Sequence, residues 1–172
     1  MLWILLMILF PKHVLTRSQC GGLHTSKRGV LQTPGFPEKF PVPINCEWVI
    51  EAHHTTPEST IVVYLTQLYV LEGLSFTEYQ VYDKTYQLNG KEICRVNENN
   101  IIGVNYIETY QEYLVINLKL ENSDSTHIRV LDHILDVYGF NITYEITTSG
   151  RKEDSCTMAT CGFTGICYDH HT

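Results

Sequence analysis

Basic residues and long apolar runs are both scarce in this chain of 172 residues. It contains 12 Lys and Arg against 19 Asp and Glu, which gives a formal net charge of −7 at pH 7. A negative surface repels phosphate backbones and anionic lipids, so the charge argues against nucleic acid as a partner. Apart from the N-terminus, no apolar run approaches the roughly 20 residues that a membrane-spanning helix needs. The sequence therefore predicts no membrane insertion of the mature chain.

The motifs of common catalytic sites are also missing. The sequence contains no Gly-x-Ser-x-Gly, no His-Glu-x-x-His and no Gly-rich loop that could cradle a phosphate. The pair His53-His54 lies in a segment rich in Thr, Pro and Glu, and we expect both side chains to be solvated. We therefore predict no catalytic residues and no enzymatic activity.

The N-terminus carries the one continuous apolar run, from Leu2 to Phe10. This run is too short to span a bilayer, and the small residues Thr16 and Ser18 stand where a signal peptidase would cut before Gln19. Residues 1–18 are therefore predicted to be a cleaved signal peptide, and the mature chain to be secreted. An uncleaved anchor is the alternative, against which the short run argues.

Removal of the signal peptide makes the chain more acidic. Lys12 and Arg17 leave with it, so 10 basic residues remain against 19 acidic ones, a net charge of −9. Such a surface is compatible with cations or basic proteins as partners. The remaining length of about 150 residues suits one domain with a substantial core.

Apolar residues from Trp48 onward mostly alternate with polar ones. This period of two recurs in short segments separated by Gly, Pro, Asn and Asp, which predicts an all-β, antiparallel β-sandwich. The residues expected to face the core are Trp48, Ile50, Ala52, Ile61, Val63, Leu65, Tyr79, Val81, Leu114, Ile116, Leu118, Leu120, Phe140, Ile142, Tyr144 and Ile146.

The segment 121–138 interrupts this pattern. Ile128, Leu131, Leu135 and Tyr138 recur at helical spacing, so we predict a short helix over His127–Val137, with a pair of short strands as the alternative. Its apolar content exceeds what a solvated loop needs. Ile128, Leu131 and Leu135 are therefore a candidate partner surface, the alternative being a small cluster packed over the edge of the sandwich.

Five short motifs occur in a fixed order over residues 20–146. They are Cys20-Gly21-Gly22, then Gly29 to Pro37 with its Pro-Gly-Phe-Pro turn, Phe40-Pro41, Cys46-Glu47-Trp48-Val49-Ile50, and Gly139 to Tyr144. Together these motifs resemble a CUB domain, an extracellular β-sandwich of about 110 residues. The resemblance implies a jelly-roll fold over residues 19–147, with function as a binding module.

The resemblance also implies a disulfide between Cys20 and Cys46. Closing a loop of about 26 residues would contribute roughly 3.5 kcal/mol in the chain-entropy model. The family's second disulfide is missing, because no cysteine stands near Leu74–Phe76 to pair with Cys94. Cys94 is then either a buried thiol that behaves as a small apolar residue or a partner of Cys161.

Some CUB domains bind calcium, and three acidic residues here lie at or near the corresponding positions. Glu72 matches the first position directly, whereas Glu78 stands beside Thr77 at the second, and Asp124 is the nearest acid to the third. Calcium needs six to eight oxygen ligands, several of them carboxylates. We therefore favour solvated loop acids over a calcium site and expect no tightly bound cofactor.

The last cysteines follow a polar segment, residues 148–155, that is predicted to be a linker. Cys156, Cys161 and Cys167, with Gly165 before the third, resemble the first half of an EGF-like module, which residues 156–172 would leave incomplete. That resemblance implies a disulfide between Cys156 and Cys167. The alternative is a zinc site formed by Cys156, Cys161, Cys167, His170 and His171.

Asn141-Ile142-Thr143 is the one acceptor motif for N-glycosylation. Asn141 alternates with inward-facing residues, so we expect it to face outward and to accept a glycan.

Together these features predict a non-catalytic extracellular interaction or adhesion module that binds a protein ligand. The alternative is the N-terminal recognition arm of a secreted protease that contains CUB and EGF-like modules, as complement-like and tolloid-like proteases do.

Overall fold

The part of the chain that the structure describes folds into ten β-strands. The computed structural model describes residues 20–52, 58–85, 89–122, 127–130, 135–152, 156–157, 160–161 and 165–169, with only the backbone described for 127–130 and 135–136. The strands are β1 (Gly21–His24), β2 (Arg28–Gln32), β3 (Ile44–Glu51), β4 (Thr60–Tyr69), β5 (Leu74–Tyr79), β6 (Lys91–Arg95), β7 (Tyr106–Thr109), β8 (Tyr113–Leu120), β9 (His127–Val130) and β10 (Leu135–Thr147).

These strands form two sheets. The first has the spatial order β1-β3-β8-β5-β6 and the second the order β2-β10-β4-β7, with β9 attached to β10. Strands β1 and β3 pair in parallel, whereas the other neighbours pair antiparallel. The predicted all-β sandwich is confirmed. In the described ranges, no helix has the length and apolar character of a membrane span.

The core lies between the two sheets and contains the predicted alternating residues except Tyr79 and Val81. Tyr79 packs with Val49 and Val115 on the outer side of the first sheet, and Val81 is exposed because it lies beyond the end of β5. Along β3, Trp48 and Ile50 are buried, and Phe140 of β10 approaches Trp48 from the other sheet with ring centroids 5.2 Å apart. The disulfide between Cys20 and Cys46 ties the start of β1 to β3 at the edge of this core. The buried faces of two sheets therefore supply most of the apolar stabilisation.

The predicted helix over His127–Val137 is wrong, and the alternative pair of short strands is confirmed. Strand β9 pairs antiparallel with the first four residues of β10, from Leu135 to Tyr138. Gly139 has a φ of +85°, which lets β10 turn from this arm into the core without a side-chain clash. Hydrogen bonding between β9 and β10 thus determines the structure of this segment, although four of its apolar residues recur at helical spacing.

Candidate interaction surface

The outer face of the first sheet carries tyrosines and glutamates on three neighbouring strands. Tyr113 of β8 is the register partner of Glu51 on β3 and of Tyr79 on β5, so the three side chains lie in one row. Strand alternation points them away from Trp48 and Ile116, which face the core. This row therefore belongs to the surface of the sandwich.

Tyr82 follows β5 and folds back over this row. Its ring centroid lies 5.3 Å from that of Tyr79 and 6.1 Å from that of Tyr113. The Tyr82 hydroxyl donates to Oε1 of Glu47 at 2.9 Å, and the Tyr113 hydroxyl donates to Oε1 of Glu51 at 3.2 Å. We call Glu47, Glu51, Tyr79, Tyr82 and Tyr113 the tyrosine face.

The tyrosine face rests on a small apolar cluster of its own. Val49 and Val115 are buried beneath the rings, and Tyr82 and Tyr113 pack against them while staying half-buried. Burial and the charge of Glu51 raise the pKa of Tyr113, so its hydroxyl keeps its proton and can donate to the carboxylate. Two acceptor groups beside aromatic rings suit a cationic side chain, which can bind carboxylate and ring together.

The outer face of the second sheet is covered by the described residues of the C-terminal tail, 156–157, 160–161 and 165–169. The Thr66 hydroxyl donates to the carbonyl of Gly165 at 2.9 Å, and the Thr143 hydroxyl donates to that of Cys167 at 2.7 Å. Both threonines are almost wholly buried although they lie on the outer side of β4 and β10. The tail therefore occupies the side of the sandwich opposite the tyrosine face.

Buried polar contacts hold this tail in place. Oε1 of Glu145 accepts hydrogen bonds from the Tyr64 hydroxyl and, at 3.3 Å, from the backbone N–H of Asp169. Oδ2 of Asp169 in turn accepts the backbone N–H of Lys152 at 2.9 Å. Burial and the neighbouring Glu145 carboxylate raise the pKa of Tyr64 well above its usual value. The phenol is therefore a neutral donor to Glu145.

The expected disulfide between Cys156 and Cys167 is wrong in this structure. Cys167 is bonded to Cys161, and Cys156 is a buried free thiol. Gly165, with a φ of +74°, turns the chain so that the α-carbons of Cys161 and Cys167 lie 5.6 Å apart, within disulfide range. The three sulfur atoms all lie within 4.8 Å of one another. Burial and Asp169 raise the pKa of the Cys156 thiol to about 12.

These three sulfurs belong to the alternative zinc site, whose remaining candidates, His170 and His171, lie outside the described residues. Cys94 is the second free cysteine. It lies half-buried on β6 opposite Phe76, and burial raises the pKa of its thiol. The alternative bridge from Cys94 to Cys161 does not form, because Cys161 is bonded to Cys167.

The calcium candidates are not brought together. Glu72 precedes β5 and Glu78 stands near its far end, so six residues of extended chain separate them by about 20 Å. Glu78 is engaged by the Thr109 hydroxyl at 2.6 Å and by the Lys91 ammonium at 3.3 Å. Asp124 lies outside the described residues. Glu72 and Glu78 therefore cannot share one ion.

Asn141 is on the outer side of β10 as predicted, where it is half-buried and its amide group contacts neighbouring residues. Its Nδ2 donates to Oε1 of Gln67 at 2.9 Å, and its Oδ1 is buried without a hydrogen-bond partner. A Cβ added at Gly165 would come within 2.8 Å of this Nδ2. Gly165 of the tail therefore lies beside the atom to which a glycan would be attached.

The candidate partner surface in the segment 121–138 is only partly described. Ile128 lies on β9 and Leu135 begins β10, but their side chains, and Leu131 as a whole, lie outside the described residues. Tyr138 is described and is buried in the core, with the Lys39 ammonium 5.1 Å from its ring centroid. This surface therefore stays a prediction.

Comparison with solved structures identifies the architecture. The CUB1-EGF-CUB2 domains of rat MASP-1 superpose with a TM-score of 0.53 at 13% identity, over 78% of this chain and 46% of that one. The CUB1-EGF-CUB2 domain of human MASP-1/3 gives a TM-score of 0.50 at 15% identity, over 76% of this chain and 44% of that one. The fold is that of CUB domains.

Sequence comparison adds a shorter match to this CUB sandwich. A stretch of 54 residues is 39% identical to neuropilin-2 of Rattus norvegicus, which corresponds to 29% of this chain and 6% of that protein. No protein-family model matches the chain. The chain thus spans under half of the solved MASP-1 fragments and a small part of neuropilin-2.

The tyrosine face is the part of the CUB sandwich that sequence reasoning missed. A signal was present, because Glu47, Val49 and Glu51 alternate with the core residues Trp48 and Ile50. Alternation places these residues on the outer face, but it does not indicate which side chains of neighbouring strands lie beside them. The position of Tyr82 had no such signal, since it lies beyond the end of β5.

Proposed function

We propose that this chain is an extracellular, non-catalytic interaction module of a secreted or cell-surface protein, and that it binds a basic segment of a protein partner through the tyrosine face. One observation carries the proposal. Of the two broad outer faces of the sandwich, the chain's own tail covers one, while the other presents half-buried aromatic rings hydrogen-bonded to two carboxylates.

The composition of the tyrosine face favours such a partner. Tyrosines are enriched among the residues that dominate binding energy, because they bring a large apolar area with few rotatable bonds. Glu47 and Glu51 would attract a lysine or arginine side chain, and the net charge of −9 without the signal peptide would steer basic proteins toward the surface. The likeness to CUB domains supports this proposal only through the shared fold, and it does not indicate the partner.

The test uses the full chain secreted from cultured human cells and recovered from the medium, where we expect it to begin at Gln19. A fluorescent peptide of alternating Arg and Gly residues serves as the probe, with a Glu and Gly peptide as its counterpart. We expect the double variant Glu47→Gln/Glu51→Gln to weaken binding of the basic peptide about tenfold, because two partly exposed charges are lost. Fluorescence anisotropy measures the affinity.

A matched variant controls for net charge. Glu38→Gln/Glu98→Gln removes two exposed charges outside the tyrosine face, and we expect it to change the affinity less than about twofold. Equal weakening by both double variants would show a non-specific charge effect and refute the proposed site. Tyr82→Ala should weaken binding of the same peptide, whereas Tyr82→Phe keeps the ring and should retain most of the affinity.

A second candidate is the recognition arm of a secreted protease. It is supported by the resemblance of residues 156–172 to the start of an EGF-like module and by the order CUB1-EGF-CUB2 in the MASP-1 fragments that share the fold. Sequencing the transcript beyond the codon for Thr172 separates the two candidates. A protease domain encoded downstream would favour the second, and a membrane span or other binding modules would favour the first.

A further inference from the structure

The turn between β7 and β8 carries the most exposed tyrosine among the residues that the structure describes. Tyr110 is 76% exposed, whereas Tyr106 on β7 is 39% exposed and the other described tyrosines are less exposed still. The guanidinium carbon of Arg151 lies 3.8 Å from the ring centroid of Tyr106, and the Tyr113 hydroxyl at the start of β8 donates to Glu51. Of the three tyrosines in this stretch, Tyr110 is therefore the one that an enzyme in solution reaches most readily.

The backbone on both sides of Tyr110 is anchored. Before it, Thr109 is buried, and its Oγ1 accepts the N–H of Gln111 at 3.1 Å. After it, the carbonyl of Glu112 accepts the N–H of Ala52 at 2.8 Å. These contacts hold the turn against the sandwich while the Tyr110 ring lies in solvent.

The sequence around Tyr110 is acidic. Glu108 and Glu112 stand two residues before and two residues after it, and residues 105–115 include no lysine, arginine or histidine. An enzyme that transfers sulfate binds a phosphoadenosine phosphosulfate donor, which is a polyanion, so the surface around its active site is basic. Such a surface attracts an acidic acceptor segment and repels a basic one.

We infer that Tyr110 is an acceptor for tyrosine O-sulfation. The inference rests on the proposed extracellular function, because tyrosines are sulfated while a protein passes through the secretory pathway. It does not depend on binding of a basic partner to the tyrosine face.

The transfer is balanced between Tyr110 and the donor. The phenol oxygen attacks the sulfur of the phosphosulfate group, and an O–S bond forms as the bond from sulfur to the donor's phosphate oxygen breaks. The electron pair leaves on the adenosine bisphosphate, the phenol proton passes to a base of the transferase, and nothing is oxidised or reduced. The product is a sulfate ester with a permanent negative charge. Three residues of chain, at most about 10 Å, separate Tyr110 from Tyr113 of the tyrosine face.

The test uses the full chain secreted from cultured human cells. Trypsin cleaves after Arg95 and after Lys119, and the peptide between them contains Tyr106, Tyr110 and Tyr113. Mass spectrometry measures the fraction of this peptide that carries the mass of one added sulfuryl group. We expect the added mass in chain from ordinary medium and its loss when the medium contains chlorate, which blocks formation of the donor. Alkaline phosphatase should leave it in place, because the enzyme hydrolyses phosphate esters and not sulfate esters.

Substitutions locate the modified residue. Tyr110→Phe should abolish the added mass, and the protein should still be secreted, because the ring is exposed. Tyr106→Phe is the matched control in the same peptide and should leave the modified fraction unchanged. Glu108→Gln/Glu112→Gln keeps all three tyrosines and should lower the modified fraction severalfold, because the acceptor segment loses its negative charge.

Three outcomes would overturn the inference. They are secreted chain without the added mass, added mass that persists in Tyr110→Phe, and added mass that phosphatase removes. Retention of the unmodified chain inside the cell would instead refute the proposed extracellular function itself.

Discussion

Gly139 lies where β10 leaves the β9 arm and enters the core, and no other residue type suits its position. Its φ is +85°, in the left-handed region that side chains oppose. A Cβ built there would lie 1.9 Å from Oγ1 of Thr33. Thr33 cannot readily move away, because its Oγ1 accepts the Phe140 N–H at 3.2 Å and its own N–H donates to the Phe140 carbonyl at 3.0 Å.

We expect Gly139→Ala to lower the free energy of unfolding by about 2–4 kcal/mol, because backbone strain and a buried clash act together. Gly35→Ala is the matched control. Gly35 also has a positive φ, +73°, but a Cβ there would meet nothing within 4 Å. We expect Gly35→Ala to lower the free energy of unfolding by about 1 kcal/mol, because only backbone strain acts there. Urea unfolding measures both variants, and equal losses would show that Thr33 yields without cost.

Single residues differ in how much the sequence could say about them. The turn at Gly35 was predicted from its place between Pro34 and Pro37, and its positive φ agrees. Asn141 was predicted to be open, because alternation along β10 places it outside. Alternation reports which side of a sheet a residue occupies, and it cannot report what another segment lays over that side.

At the scale of elements, the docked tail and a glycan on Asn141 compete for the same space. We expect low occupancy of the acceptor site in the full chain, because Gln67 and Gly165 surround Nδ2. A chain that stops after Lys152 lacks the tail, and its occupancy should rise severalfold. The shift in mass after enzymatic deglycosylation measures both.

Thr143→Ala destroys the acceptor motif and provides the control, since it should remove any shift that arises at Asn141. Full occupancy in the intact chain would contradict the docked tail, because Nδ2 would have to be exposed. The comparison therefore tests the position of the tail independently of its cysteines.

Elements were predicted well where burial on one face governs them and poorly elsewhere. Strands β3, β4, β8 and β10 contribute alternating core residues, and the period of two revealed them. In the segment 121–138 the same four apolar residues fit a helix or two strands, and local spacing could not decide. Strand β9 forms because it can pair with the edge of β10, and that edge is a feature of the tertiary structure rather than of the local sequence.

At the scale of the whole molecule, the Cys20–Cys46 disulfide fastens the first described residue to the sandwich. We expect Cys46→Ala to lower the free energy of unfolding by about 2–5 kcal/mol and to reduce secretion sharply, because the cross-link no longer restricts the unfolded chain. Secreted yield and urea unfolding provide the measurements.

Two further variants check this interpretation. Cys20→Ala should match Cys46→Ala and the double variant, since all three remove the same bond. Cys94→Ala should cost less, because it removes a half-buried thiol and no cross-link. A Cys46→Ala protein that is secreted normally and unfolds at the wild-type urea concentration would show that packing alone secures β1.

The candidate surface was the least predictable part of the whole molecule. The tyrosine face requires the register of β3, β8 and β5 and, in addition, a loop that returns Tyr82 across them. The calcium candidates failed for the related reason that neighbours in sequence motifs, Glu72 and Glu78, lie at opposite ends of one strand. Sheet register and loop path are set by many distant contacts, so residue types alone did not reveal these sites.

Coverage of one sheet by the chain's own tail has a consequence for valency. Among the described residues, the tyrosine face lies on the broad sheet face that the tail leaves uncovered, and a module that binds through it holds one partner at a time on that face. Cross-linking of partners through this face would then require several such modules joined in one chain or assembled side by side. Weak contacts at each module would add up through effective concentration, so that clustering rather than the affinity of one face would control retention.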